Sequence, residues 1–297
     1  MADSMIEQIR SNPGFIAALD QSGGSTPGAL KAYGIPEEQY DGNEAEMFRL
    51  MHEMRVRVMT APSFTGNKVV GAILFEKTMD GEANGQSVPG FLRERGIAPF
   101  LKIDKGLEPE ADGVQLMKPI PGLDDLLARA VKLGVVGTKE RSVIAKASPA
   151  GVAAIVEQQF AVGAQVAAHG IVPILEPEVL IRNPEKARSE ELLRDEVARH
   201  LDADRNGFKL MLKITPPEQD DLYAPLMDHP RVVRIVALSG GYPRDEACAK
   251  VAANKGLIAS FSRALLDDLR VSQDDAEFDR TLGGVIDQIY RASAHRN

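Results

Sequence analysis

The sequence predicts an α/β protein built as one closed (β/α)8 barrel of the TIM class, with residues 1–297 forming a single domain. Three observations carry this prediction. Eight short apolar runs alternate with longer amphipathic segments from end to end, the pattern of a parallel sheet covered by helices. The 297 residues are 44% hydrophobic and 26% charged, enough for one large core, and no linker or low-complexity stretch divides them. Charged and polar residues gather where the apolar runs stop, which is where barrels of this class carry chemistry.

The expected strands are 15–19, 69–75, 99–103, 135–139, 171–176, 208–214, 232–238 and 257–261. Each is apolar over most of its length, as parallel strands covered on both faces should be. Between them, residues 43–59 place Met47, Leu50, Met51, Met54 and Val58 on one stripe at helical spacing. Helical patterns also cover 122–134, 149–169, 184–201, 243–255 and 274–295, with shorter ones at 87–95 and 217–227. A dinucleotide-binding sheet would need G-x-G-x-x-G after the first strand. That strand instead runs into Asp20-Gln21-Ser22-Gly23-Gly24-Ser25.

Composition excludes several function classes. Lys and Arg number 35 against 43 Asp and Glu, a net charge of −8, which argues against a nucleic-acid or membrane-surface binder. A single cysteine, Cys248, rules out an internal disulfide and reads as a packing residue. The first fourteen residues carry acids early and no apolar run, unlike a signal peptide. No apolar stretch approaches the roughly 18 residues of a membrane span. A cytoplasmic protein is expected.

The strand ends hold the chemistry-bearing residues. The first strand ends at Asp20; Lys102-Ile103-Asp104-Lys105 follows the third and Lys139-Glu140-Arg141 the fourth. Glu176-Pro177-Glu178 follows the fifth, and Lys213 lies inside the sixth. Ser239-Gly240-Gly241 follows the seventh, and Ser260-Phe261-Ser262-Arg263 the eighth. Period-two alternation puts Glu176 and Glu178 on one face, and likewise Lys102 and Asp104.

Lys213 stands out, because lysine is almost never fully buried unless paired or working. A second ammonium about 6 Å away, such as that of Lys139, contributes roughly 2.8 kcal/mol at an effective dielectric of about 20. That is about two pKa units, a route to a neutral, nucleophilic amine. Two glycines after Ser239 let backbone N–H groups approach an anion, and Arg263 offers a planar fork to the same anion. Asp202 to Gly207 imitates an EF-hand opening, but the twelfth position is Lys213 rather than a bidentate glutamate. His52, His169, His200, His229 and His295 are scattered, so no metal site is expected.

Taken in order, AALDQSGGS (17–25), LKIDKGL (101–107), TKERSV (138–143), IVPILEPEVL (171–180), LMLKITPP (210–217), LSGG (238–241) and SFSRAL (260–265) resemble the class I fructose-1,6-bisphosphate aldolases, the shorter bacterial branch in particular. The resemblance implies a metal-independent, cofactor-free lyase of glycolysis and gluconeogenesis, acting on a phosphosugar through a Schiff base on Lys213. It implies Glu176 as general acid/base, Lys139 as the second active-site lysine, Asp20 as the aspartate that supports cleavage, and Glu178 as a companion carboxylate. Lys102 and Arg141, with Ser22 and Ser25, fall on the substrate side; Ser239, Gly240, Gly241, Ser262 and Arg263 fall on a phosphate site.

Three departures accompany the match. Gly28-Ala29 stands where vertebrate-type members have a Lys-Arg pair, leaving Lys31, Lys102 or Arg141 to hold the second phosphate. Residues 291–297 lack the terminal tyrosine that such members carry, which leaves the enamine's proton donor open. Glu140 stands where many relatives have an aromatic residue. Two other readings stay open: a Schiff-base aldolase for tagatose-bisphosphate or deoxyribose-phosphate, and a non-catalytic barrel that binds sugar phosphates. Oligomeric state is left open too, a homo-oligomer included.

Overall fold

The computed structural model describes residues 2–204 and 207–294. Among them, eight parallel strands close into a barrel: β1 (Phe15–Leu19), β2 (Val69–Leu74), β3 (Ala98–Lys102), β4 (Gly137–Ile144), β5 (Val172–Val179), β6 (Leu210–Ile214), β7 (Val232–Ala237) and β8 (Ile258–Phe261). Each pairs with the next, and β8 returns to β1 through the Ile16–Ser260 and Ala17–Phe261 register.

A helix α1 (Ala2–Ser11) precedes the barrel, and a ring of helices surrounds it: α2 (Thr26–Tyr33), α3 (Glu44–Thr60), α4 (Glu76–Met79), α5 (Val88–Glu94), α6 (Leu123–Leu133), α7 (Pro149–Ala168), α8 (Lys186–Ala203), α9 (Ala224–Met227), α10 (Arg244–Ala252), α11 (Arg263–Leu266) and α12 (Asp275–Ala294). Helix-facing side chains of the strands, among them Leu19, Leu175, Leu212 and Ile235, pack with Val58, Leu127, Ile155 and Ile289 in one core. A fully buried aliphatic side chain of this kind contributes about 1.5–3 kcal/mol.

The inward faces form a second cluster. Ile16, Ala18, Ala98, Phe100, Ile174, Met211 and Ile258 fill the barrel floor, and Ile9 of α1, with Met5 and Ile6 against it, closes the bottom. Gly137 makes this packing possible: a Cβ there would lie 2.1 Å from the Val172 carbonyl oxygen and 2.6 Å from the Phe100 ring. Two residues further along these strands stand Asp20, Lys102, Glu176, Lys213 and Ser260. The inward stripe therefore changes from apolar to polar toward the strands' carboxyl ends, and the chemistry is confined to one mouth of the barrel.

All eight expected strands are present, with differences at their ends. β4 and β5 run to Ile144 and Val179, paired in unbroken register from Gly137–Val172 to Ile144–Val179. Arg141 and Glu178 therefore stand on strands rather than on loops. An apolar-run criterion stops at the first charge, whereas the ladder continues because those charges face the open mouth.

Of the expected helix at 217–227, only Ala224–Met227 is helical. Helices α1 and α2 were not expected. The first carries only three apolar positions in its amphipathic turns; the second is a short run that Pro27 opens and the left-handed Gly34 (φ 98°) ends. Cys248 is buried in α10, and burial pushes its thiol up to about 11, in keeping with a packing role. No helix among the described residues is long and apolar enough to cross a membrane. Arg205 and Asn206 of the EF-hand imitation, and His295 at the end of the last expected helix, lie outside the described residues.

Candidate active site

At the carboxyl mouth of the barrel lies a cavity of about 1110 Å³. Asp20, Lys102, Lys139, Arg141, Glu176, Glu178 and Lys213 line it, as do Ser22, Ser25, Ser239, Gly240, Ser262 and Arg263. Gly241 (φ 103°) is not among the lining residues and stands at the rim, 3.5 Å from Arg263 measured from the position its Cβ would take. Lys31 is exposed on α2 and does not line the cavity.

Glu176 joins the two buried lysines. Its Oε2 lies 2.8 Å from Lys139 Nζ and its Oε1 lies 3.0 Å from Lys213 Nζ. Lys139 reaches Asp20 at 2.8 Å as well, and Asp104 at 4.0 Å. Lys139, Glu176 and Lys213 are only 3–4% exposed, so these pairs form in a nearly dry environment where charges interact strongly.

The protonation consequences follow from that geometry. Burial pulls the Lys139 ammonium down, but Asp20, Glu176 and Asp104 outweigh it and raise its pKa, so Lys139 stays charged. Burial likewise opposes ionisation of Glu176 and Asp20. Lys139 and then Lys213 overcome it, holding both carboxyls below the usual carboxylate range. The Lys139 ammonium is therefore not a bare like charge beside Lys213. Here three carboxylates surround it, and one of them stands between the two lysines.

Glu178 turns to a different partner. Its Oε2 meets Arg141 Nε at 2.5 Å, across β4 and β5. Burial opposes the Arg141 charge, and Glu178 and Glu176 more than restore it. Lys102 Nζ donates to Asp104 Oδ1 at 2.8 Å, and Arg141 N–H donates to Asp104 Oδ2 at 3.3 Å. Asp104 thus belongs to the charged cluster, a role that its place two residues after Lys102 on the same face could have signalled.

The segments that follow β7 and β8 form a further part of the cavity wall. Gly240 takes a left-handed conformation (φ 63°), and a Cβ there would lie 2.8 Å from the Ile181 side chain. Ser239 is nearly buried, Ser262 is half-buried and Arg263 is exposed.

Gln21 Nε2 donates to Ser262 Oγ at 2.5 Å, and the buried Arg55 of α3 donates to the Gln21 carbonyl oxygen and, at 2.8 Å, to Thr78 Oγ1. Arg55 therefore ties α3 to the segment after β1 and to α4, while Gln21 carries the link on to the segment after β8. Burial brings its guanidinium down to about 10, with Asp20 opposing. Sequence reasoning passed over Arg55, because an arginine in an amphipathic helix gives no local sign that it is buried. Among the described residues, no group of three or more His, Cys, Asp or Glu side chains is arranged to hold a metal ion.

Comparison with known proteins bears on this site. A family model for class-I fructose-bisphosphate aldolase matches residues 7–199. A class 1 fructose-bisphosphate aldolase of Synechocystis is 53% identical over 289 residues, 97% of this chain and 96% of that protein. This chain belongs to the class I fructose-bisphosphate aldolases.

Solved structures agree on the fold. The fructose-bisphosphate aldolase of Plasmodium falciparum, solved with TRAP and an inhibitor, superposes with a TM-score of 0.75 at 20% identity. It covers all of this chain and 95% of that one. A Corynebacterium glutamicum protein follows at TM-score 0.55 and 16% identity, covering 98% and 92%. As a class I aldolase the chain is a lyase, and its charged cavity occupies the carboxyl mouth expected of the fold.

Proposed function

We propose that this aldolase cleaves fructose 1,6-bisphosphate reversibly into dihydroxyacetone phosphate and glyceraldehyde 3-phosphate, with Lys213 as the covalent residue. The observation that carries this reading is the unequal surroundings of the two buried lysines. Lys139 is shared among three carboxylates and is committed to its charge. Among the described residues Lys213 forms an ion pair with one carboxylate, Glu176, whose Oε1 lies 3.0 Å away and can accept a proton; Asp20 acts on it only at longer range.

The chemistry then runs on this chain's own groups. Lys213 passes a proton to Glu176, and its amine attacks the substrate's ketone carbon; the proton that the new C–N nitrogen sheds passes to the ketone oxygen and gives the carbinolamine. Glu176 returns a proton to that hydroxyl, water leaves, and a protonated imine remains. A base removes the C4 hydroxyl proton, the C3–C4 bond breaks, and its electron pair moves into the imine to give an enamine and the aldehyde. Asp20, fixed by Lys139 at the cavity wall, is the candidate for that base or for its orientation. Enamine protonation at C3 and hydrolysis release the second product and regenerate the lysine. The iminium is the electron sink that a metal ion would otherwise supply, so the reaction calls for neither metal nor cofactor.

Ser239, Gly240, Ser262 and Arg263 are assigned to the phosphate at the ketone end, supported by the open backbone at Gly240 and the unencumbered fork of Arg263. Arg141 and Lys102, across the cavity, serve the second phosphate in place of the pair absent at Gly28-Ala29; Lys31 is too far out on α2 for that task. The same reading takes residues 1–297 as one catalytic domain that acts on soluble phosphosugars in the cytoplasm. Incubation with dihydroxyacetone phosphate followed by borohydride should add the reduced substrate to Lys213, seen by peptide mass spectrometry. An unmodified Lys213, or an adduct on Lys139, would sink the assignment. Lys213→Met should lose trapping and roughly 10³-fold or more in kcat.

A further inference from the structure

Glu140 lies between Lys139 and Arg141 on β4, but on the other face of the strand. It is 0% exposed, in the layer between β4 and α7. Its Oε2 accepts from Thr138 Oγ1 at 3.1 Å, and its Oε1 has no hydrogen-bond partner. Gln159 of α7 donates to the Glu140 carbonyl oxygen at 3.1 Å and to Ser142 Oγ at 2.6 Å, which leaves its own Oε1 unpartnered in the same layer. No cation pairs with Glu140 among the described residues; Lys139, its chain neighbour, points into the cavity. An ionised carboxylate in such a place carries a large desolvation cost, and an unmet acceptor oxygen adds to it. Burial is the main cause that holds this carboxyl well above its usual range; the Thr138 hydroxyl opposes it and the Asp104 charge reinforces it.

The charge balance of the cavity gives that proton a consequence. Around the buried lysines, Lys102, Lys139, Arg141 and Lys213 face Asp20, Asp104, Glu176 and Glu178, four against four, and the rest of the lining adds Lys105 and Arg263 against Glu44, Glu76 and Asp267. The lining already carries one acid more than it has bases, and an ionised Glu140, one peptide away from Lys139, would add a further negative charge behind the place where an anionic substrate binds. We propose that Glu140 is carried as a neutral carboxylic acid, and that its proton keeps a further negative charge away from Lys139 and the substrate side of the cavity. The charged groups that act on it from the packed elements are Lys139 of β4 itself, Glu176 of β5 and Asp104 after β3. From α7 it meets the neutral Gln159.

The proposal rests on the functional reading above for its kinetic part only. Difference infrared spectroscopy of the wild-type enzyme at neutral pH, against Glu140→Gln, should show one protonated-carboxyl C=O band that the variant lacks. Raising the pH should remove that band in the wild type. No such band, or one insensitive to pH, would overturn the idea; the pH step is read on the wild type alone and needs no turnover.

In parallel, KM for fructose 1,6-bisphosphate in the wild type should rise about three- to tenfold over the pH range in which the band disappears, with kcat within about twofold. In Glu140→Gln that rise should be absent. The same rise in both proteins would show that the proton on Glu140 does not govern substrate binding. Absence of cleavage in either protein would speak against the functional reading, while the infrared result stood.

Discussion

Glu176 is the residue on which the proposed chemistry turns, because a single carboxylate lies 2.8 Å from one buried lysine and 3.0 Å from the other, and the proposal has it take a proton from the second. Glu176→Gln keeps the shape and removes that ability; kcat should fall by roughly 10²- to 10⁴-fold, and borohydride trapping on Lys213 should slow with it. Unchanged trapping kinetics would assign the proton transfer elsewhere. Asp20 supplies a pH signature. Its folded-state pKa is depressed below the ordinary 3.8, so the stability it contributes is present above that value and is lost as pH falls through the lower, folded value. Acid unfolding of the wild type should therefore steepen below about pH 4, and Asp20→Asn should lose part of that steepness. The same variant should already be less stable at neutral pH, because Lys139 loses a partner; urea denaturation across pH measures both effects. Lys139 has the opposite sign. Its pKa is raised, so its contribution is complete below 10.5 and fades only at higher pH.

At the scale of elements, α8 is pinned to the segment that follows the lysine strand. Lys186, near the start of α8, donates to the Pro216 carbonyl oxygen at 2.8 Å and pairs at 2.5 Å with Glu190, which is fully buried. Glu190 Oε2 in turn accepts from the Glu218 backbone N–H at 2.9 Å. These bonds fix residues 216–218, just beyond β6, and so the exit of the strand that carries Lys213. Lys186 also pairs with Glu218 at 3.1 Å, so Glu190→Ala takes one of two carboxylates from a buried ammonium and should cost about 1.5–3 kcal/mol in chemical denaturation. A loss below about 1 kcal/mol would mean that Glu218 takes over the pairing. The long β4–β5 ladder has a comparable role, since it carries Arg141 and Glu178 beyond the point where the apolar runs end and pairs them there.

For the whole molecule, the decisive property is that one mouth of the barrel is polar while α1 and the inward apolar residues plug the other. That mouth gathers six Lys and Arg side chains among seven Asp and Glu in a protein whose net charge is −8, so an anionic substrate is held by local pairing with those cations and not by the overall sign. It also frames a test of the chemistry. Because an iminium supplies the electron sink, aldol cleavage should keep its full rate after exhaustive dialysis against a chelator. Loss of activity that zinc restores would point to a metal mechanism instead.

The sequence by itself determined the alternation of eight strands with helices, the family, and the identity of almost every polar side chain at the mouth. These are legible because side-chain periodicity along a strand is a local property: Met211 inward makes Lys213 inward, and Ile174 makes Glu176 so. Which carboxylate meets which lysine was decided only by the closed barrel. Asp20 reaches Lys139 because barrel closure brings the end of β1 to face β4, and Glu178 is drawn from the lysines to Arg141 because the β4–β5 ladder sets those two side by side. The burial of Arg55 beneath Gln21, and the dry layer that isolates Glu140 behind Lys139, belong to the tertiary structure as well. Desolvation depends on what the rest of the chain packs around a group, and no stretch of neighbouring residues carries that information.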